Sequence, residues 1–139
     1  MAQDLDCIFC KIVAGKIPCF KLYEDGETLA FMDINPVHDG HCLVIPKAHH
    51  PTVFDTPPDI FAAVARSTVK VAKAVKRAVA LDGLNLLQAS GPGAAQSVMH
   101  FHVHVLPRQR DDELKMNWTP TPGDNTHIAT IAERIRSAL

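Results

Sequence analysis

The sequence predicts one α+β domain built on an antiparallel sheet, and three observations predict it. Short apolar runs punctuated by glycine and proline fall at 21–24, 28–33, 40–46, 84–87 and 98–106, each of strand length. One long stretch of helical spacing separates the third run from the fourth, and a shorter apolar stripe closes the chain. At 139 residues the chain is long enough to bury a sizeable core in one domain. Strands, a long helix, more strands and a short helix make an α+β arrangement.

Composition narrows the function classes. A 47% hydrophobic and 21% charged content is that of an ordinary soluble globular protein. A net charge of -1 and a pI near 6.7 give no basic surface for nucleic acid or an anionic membrane. The opening MAQDLD is acidic without an apolar run, and no stretch approaches membrane-spanning length. Four cysteines in such a chain predict reduced thiols or a metal site rather than a disulfide framework, and hence a cytoplasmic protein.

Taken in order, the chain first shows Cys7-Ile8-Phe9-Cys10, a C-x-x-C pair in an apolar segment. Two thiolates at this spacing suit half a zinc site or a redox pair, and equally two inert thiols. Strands at 21–24 and 28–33 flank the turn Glu24-Asp25-Gly26, a hairpin signal. The second ends at Asp33, before Ile34-Asn35-Pro36; its carboxylate can accept bonds from a hydroxylated ligand or cap the turn. In the strand 40–46, His41, Leu43 and Ile45 share one face and Cys42 and Val44 the other, and His49 and His50 follow in a loop.

Thr56 with Pro57 just inside predicts a helix start. Ile60, Val64, Val71, Val75 and Val79, with small Ser67 between, mark the buried stripe, and Arg66, Lys70, Lys73 and Arg77 a solvated face. Asp82-Gly83 ends this helix, a strand follows at 84–87, and 89–95 is a loop of small residues. After Pro107 the chain turns polar, with Trp118 in a proline-rich stretch, and residues 108–125 are the least predictable part. Asp124 or Thr126 caps a last helix with Ile128, Ile131 and Ile135 on one stripe.

The residues that carry chemistry lie in HFHVHVL, 100–106. Extended backbone puts His100, His102 and His104 on one face, roughly 6.6–7 Å apart, and Phe101, Val103 and Val105 on the other. A neutral imidazole whose proton is held at one nitrogen offers a lone pair at the other, which suits attack on phosphorus and a phospho-histidine intermediate. Flanking histidines can bond phosphate oxygens or protonate a leaving group, and Ser97 adds a hydroxyl near the strand's start. Backbone N–H groups of 91–95 can approach an anion closely. The competing reading makes the histidines ligands of a catalytic zinc. Both are accommodated if one flanking histidine joins the cysteines.

HFHVHVL resembles the histidine-triad motif, His-φ-His-φ-His-φ-φ, of a superfamily of nucleotide hydrolases and transferases. The similarity runs from DCIFCKI through FMDINP and GHCLVIPKAH to QSVMHFHVHVLPR and points to the Hint-like bacterial branch. It implies a single domain, with a less predictable tail from about 108, whose dimer joins two sheets into one. It implies cleavage at the α-phosphate of nucleoside 5′-phosphoramidates, with dinucleoside polyphosphates as the alternative substrates. His102 would be the nucleophile, His104 would bond the α-phosphate, His41 would hold the proton of the nucleophilic ring, and Ser97 would assist phosphate or leaving group. Asp33 would accept ribose hydroxyls; Ile8, Phe9, Ile12, Phe31 and Ile34 would line the base pocket, each also a fair core residue, and Gln96 would join the nucleotide contacts. Cys7, Cys10, His49 and His100 would hold a structural zinc, and no organic cofactor is implied. The chain departs from the pattern at Ala89, where relatives place an asparagine against phosphate, and at Ala95, where they place glycine. One lost neutral phosphate contact is worth roughly 0.5–1.5 kcal/mol. That departure keeps a nucleotide-binding module with little turnover in play, beside a zinc-stabilised interaction protein.

Overall fold

A computed structural model describes residues 3–115 and 119–139. Trp118 lies outside the described residues. The elements run α1 (Ile8–Val13), β1 (Lys21–Glu24), β2 (Thr28–Met32), β3 (Cys42–Pro46), α2 (Pro58–Ala78), β4 (Gly83–Gln88), a 3-10 turn (Pro92–Ala94), β5 (Val103–Arg108) and α3 (Asn125–Ser137). The five strands form one antiparallel sheet in the order β1-β2-β3-β5-β4. The predicted α+β class and its antiparallel sheet are what the structure shows.

Side-chain alternation gives the sheet two covered faces. Ala30, Cys42, Val44, Val103 and Val105 point to α2 and pack with its Val64, Val71 and Val75, around a fully buried Phe101. Polar contacts also dock the helix: Ser67 Oγ lies 2.7 Å from Thr28 Oγ1, whose hydroxyl also donates to Asp25 at the hairpin turn, and Lys70 donates to the Tyr23 hydroxyl at 3.1 Å. Leu29, Phe31, Leu43 and Ile45 point the other way and meet Phe9 of α1. The histidines belong to this second face.

Four local expectations need correction. The apolar cysteine pair, for which the sequence predicts no helix, opens α1 as its cap and first turn, with the Cys7 sulfur accepting the Cys10 N–H at 3.4 Å. The long helix starts at Pro58 rather than Thr56, because the Thr56 hydroxyl turns back to the Thr52 carbonyl and Pro57 supplies no side-chain cap. The strand expected over 98–106 enters the ladder only at Val103. Before that point its polar groups go elsewhere: the Phe101 N–H donates to the His50 carbonyl at 2.6 Å. The strand expected from Gly40 begins at Cys42, since Gly40 takes a φ of +88° and the His41 N–H bonds back to His38. Of the two possible caps for α3, Asp124 is the one used, accepting the Thr126 N–H at 3.0 Å.

Gly40 turns the chain into the site, and a side chain there would be both strained and crowded. A Cβ there would stand 3.0 Å from Val79 and 3.2 Å from Val75 and Pro107, at a φ that L-residues avoid. Gly15 shares the positive φ, +72°, but has nothing within 4 Å. Gly15→Ala is expected to cost about 1 kcal/mol. Gly40→Ala is expected to cost about 1–3 kcal/mol from backbone strain alone, with displacement of Val79 on top. Urea midpoints at an unchanged slope measure both, and equal losses would show that the contact with Val79 carries no weight.

Candidate active site

His102 and His104 stand next to each other on the α1 face of the sheet, ring centroids 4.9 Å apart, because alternation sends Phe101, Val103 and Val105 to the other face. The histidine side of this segment is covered, for His100 and His102 are 0% and 2% exposed. The ring nitrogens that do not face the cavity therefore need protein partners, and those partners fix where the protons sit. His102 Nδ1 lies 2.6 Å from the carbonyl oxygen of His100. A carbonyl only accepts, so Nδ1 carries the proton and Nε2 the lone pair. Burial pushes the His102 pKa below its ordinary value, keeping the ring neutral.

His41 precedes β3 and points to the same face. Its Nδ1 accepts the Val37 N–H at 3.1 Å, so its proton sits on Nε2. That nitrogen is 2.9 Å from His104 Nδ1, which must then accept, leaving His104 with its proton at Nε2. The chain of donors runs from Val37 through His41 to His104. The resemblance implies that His41 orients and holds the proton of the His102 ring; in the structure His41 instead pairs with His104, and the His102 Nδ1 proton goes to the His100 carbonyl. Burial, with the neighbouring rings of His102 and His41, pushes His104 down to about 4. Burial also lowers His41, against the pull of Asp33. Asp33 divides its oxygens: Oδ1 accepts the Asn35 N–H at 2.8 Å, and Oδ2 lies 3.4 Å from His41 Nε2 and 4.0 Å from His104 Nδ1. These three residues are close enough to ligate an ion, but the proton on His41 Nε2 already serves His104, so they read as a hydrogen-bonded group.

His41, His102 and His104 open into a cavity of about 530 Å³, walled by Phe9, Ile12, Phe31 and Leu43 and bounded by Asp33 and Ser97. Ile8 and Ile34 line it at the mouth, 46% and 78% exposed. Gln96 does not line it. Its side chain accepts the Gly91 N–H and donates to the carbonyls of Pro51 and Val98, bracing the loop that carries Ser97. Ile17, Pro18, Cys19, Met32, Asn35, Leu43 and Val98 complete the lining and were not singled out from sequence. Leu43 was findable, since alternation already placed it beside His41; Ile17 to Cys19 arrive through the turn after α1, for which no local signal exists. A separate apolar groove of about 330 Å³ lies between α2 and β1 on the other face, without a histidine.

Cys7, Cys10, His49 and His100 come together at the end of α1. His49 Nδ1 and His100 Nδ1 are 3.2 Å apart, and sulfur-to-nitrogen separations are 3.4, 3.5 and 3.6 Å. A tetrahedral zinc with two thiolates and two imidazoles separates its nitrogens by roughly 3.3 Å and nitrogen from sulfur by roughly 3.5 Å. His100 Nε2 donates to the Pro46 carbonyl at 2.8 Å, which turns the Nδ1 lone pair into the cluster. The residues fit the ion, with all four positions filled by protein, the form of a structural site.

Residues 14–111 match the family model of the HIT domain. The chain belongs to the HIT domain family. It is 45% identical to the Protein hit of Bacillus subtilis over 140 residues, covering 96% of this chain and 97% of that one. It is 37% identical to the adenosine 5′-monophosphoramidase hnt1 of Schizosaccharomyces pombe, covering 97% and 99%. It is 44% identical over 107 residues to the adenylylsulfatase HINT3 of Arabidopsis thaliana, covering 77% of this chain but only 54% of that longer protein. Among solved structures, SMU.412c from Streptococcus mutans superposes with a TM-score of 0.94 at 39% identity, covering 99% of this chain and 87% of that one. A zinc-bound histidine triad family protein from Mycobacterium smegmatis gives 0.75 at 36% identity, covering 97% and 99%.

The lowered pKa of His104 makes stability depend on pH in a definite direction. The unfolded ring takes a proton near its ordinary value of 6.5 and the folded ring only near 4, so the stabilisation is whole above about 6.5 and is lost as pH falls toward 4. Tm should fall across that window, and less steeply in His104→Asn, whose amide oxygen can still accept from His41. A profile as steep as wild type would place the titration elsewhere.

Proposed function

We propose that this HIT-domain protein is a nucleotide hydrolase that cleaves at the α-phosphate of nucleoside 5′-phosphoramidates, passing through a nucleotidyl-His102 intermediate. One observation carries the reading: His102 has its proton held at Nδ1 by a carbonyl, so a neutral ring presents its Nε2 lone pair at a cavity of nucleotide size. Attack by Nε2 on the α-phosphorus forms the N–P bond, and the phosphoramidate P–N bond breaks. The departing amine takes a proton from solvent water relayed by the Ser97 hydroxyl at the mouth, which regains its own proton from that water. Water then cleaves the histidine–phosphorus bond, releasing the nucleoside monophosphate and restoring the ring. His104, protonated at Nε2, is the donor for a phosphate oxygen whose charge grows in the transition state.

The remaining walls suit the rest of a purine nucleotide. Phe9 and Phe31, ring centroids 5.4 Å apart and edge to face, with Ile8, Ile12 and Ile34 form an apolar slot for a base. Asp33 Oδ2 is the acceptor for ribose hydroxyls. Gln96 acts by holding the 91–98 loop. Zinc at Cys7, Cys10, His49 and His100 would supply a cross-link between α1, the loop after β3 and the histidine segment. The exposed edge strand β4, with Leu86 54% exposed, and the uncovered Ile128 and Ile135 of α3 support a homodimer with a joined sheet. No described helix is long and apolar enough to cross a membrane, and with the balanced charge this favours a cytoplasmic protein with neither membrane nor nucleic acid as partner.

Relatives named as a monophosphoramidase and an adenylylsulfatase support hydrolysis next to an adenosine 5′-phosphoryl group. Binding with little turnover is favoured by one feature alone. Ala89 is buried at the end of β4, where a methyl group offers phosphate nothing.

Mass spectrometry of wild type quenched without acid after mixing with an adenosine phosphoramidate should show a nucleotidyl adduct or released AMP. His102→Ala should show neither, its turnover reduced roughly 10³-fold or more, while it still binds AMP. AMP binding by wild type without adduct or product would establish the binding module instead. Asp33→Asn should raise KM more than it lowers kcat; an unchanged KM would remove Asp33 from the nucleotide contacts.

A further inference from the structure

The nucleophile's proton acceptor is a backbone carbonyl, and what aims that carbonyl lies outside the cavity. The peptide unit joining His100 to Phe101 presents its oxygen to His102 Nδ1 at 2.6 Å. Its N–H is gripped as well, donating to the His50 carbonyl at 2.6 Å. Sheet hydrogen bonds do not hold this unit, for the β5 ladder begins at Val103. Two anchors remain. The His100 ring is pinned by Pro46 on one side and by the sulfurs of Cys7 and Cys10 and the ring of His49 on the other. The His50 carbonyl is carried by the residue next to His49. Both ends of the peptide therefore lead back to the four-residue cysteine–histidine cluster.

The same cluster also holds the ring that faces the nucleophile. Cys7 and Cys10 bracket Phe9, whose ring meets His102 edge to face at 5.3 Å and His100 at 5.8 Å. Movement of α1 would shift this wall and the nucleophile's neighbour together.

We propose that a metal ion joining Cys7, Cys10, His49 and His100 sets the orientation of the 100–101 peptide and thereby the ring of His102, so that His49 and His100 are positioning residues for the reaction as well as staples of the fold. The inference rests on His102 being the nucleophile. It assigns the cluster a role in reactivity: the ion never touches substrate, yet its loss leaves the attacking nitrogen unaimed. An error of about 1 Å in an attacking atom costs roughly 10²-fold in rate, far more than a small loss of global stability would.

The full chain, its zinc content measured by mass spectrometry, is compared before and after chelation. Readouts are the ring ¹⁵N signals of His102 in histidine-labelled protein, the affinity for AMP, the single-turnover rate of adduct formation, and circular dichroism for the fold. The metal-free, folded protein should lose the single protonated-Nδ1 signature of His102 and form adduct about 10- to 100-fold more slowly, both restored by zinc. Unchanged His102 signals and adduct rate in folded, metal-free protein would overturn the proposal. Should chelation unfold the chain, His49→Cys decides. It keeps four ligands and one zinc but shortens the side-chain reach from the metal to the 49–50 backbone, and it should slow adduct formation while leaving AMP affinity within about twofold. A zinc-loaded, folded His49→Cys protein with the wild-type adduct rate overturns the proposal equally. Absence of AMP binding and turnover in untreated wild type would count against the hydrolase reading itself, while the His102 signals still report on the coupling.

Discussion

One hydrogen bond, from His102 Nδ1 to the carbonyl of His100, governs the rest of the site. It selects the Nδ1–H tautomer, the less favoured form of a free histidine side chain, and it does so with a group that can never donate back. With the proton committed there, Nε2 has a lone pair at every moment that the ring is neutral, and burial keeps it neutral. The second pair, His41 and His104, is set in the opposite sense by a backbone donor, Val37. Neighbouring histidines thus receive different proton placements from two backbone groups, one acceptor and one donor. Among the described residues no carboxylate is bonded to His102; Asp33 lies nearest His41 and is partly committed to the turn after β2.

Keeping four imidazoles in or near a protein interior has a cost that the fold must offset. A buried polar group without a partner loses roughly 1–3 kcal/mol, so four stripped rings would consume much of a small domain's stability. Among the described residues, however, no buried side-chain nitrogen or oxygen lacks a partner. The partners come from segments far apart in sequence: Pro46, His49, Val37 and the cysteines Cys7 and Cys10. The same contacts that satisfy the rings tie the N-terminal helix, the loop after β3 and the segment before β5 to each other.

Much of this was legible in the sequence because it depends on period and punctuation. Alternation over 100–105 placed the histidines opposite Phe101 and the valines, and alternation over 41–45 put His41 and Leu43 on the shared face. The cysteine pair and two histidines were grouped by resemblance, and the structure brings those four together. What failed were features decided by tertiary hydrogen bonds. The ladder starts late because Phe101 bonds His50, and α1 escaped notice because six residues carry too little periodicity. Gln96 lay in a loop of small residues, where nothing local distinguishes an amide that contacts ligand from one that braces backbone. The resemblance assigned His41 to the nucleophilic ring, while alternation gives a face but not a partner; here His41 bonds His104, which the register sets opposite Leu43.

The residues from Phe101 to Val105 have an occupant for each side chain, on the helix-covered face or in the cavity. Evolution consequently has little neutral space in that stretch, because a change on either face disturbs a neighbour already committed to the other. By contrast α3 has no buried residue in the single chain, and it lies outside the 14–111 match to the family model. Divergence is expected to accumulate at the C-terminal helix long before it reaches the histidine strand. A lineage could acquire new partners through that helix without altering its chemistry, while the brief motif endured as a record of descent.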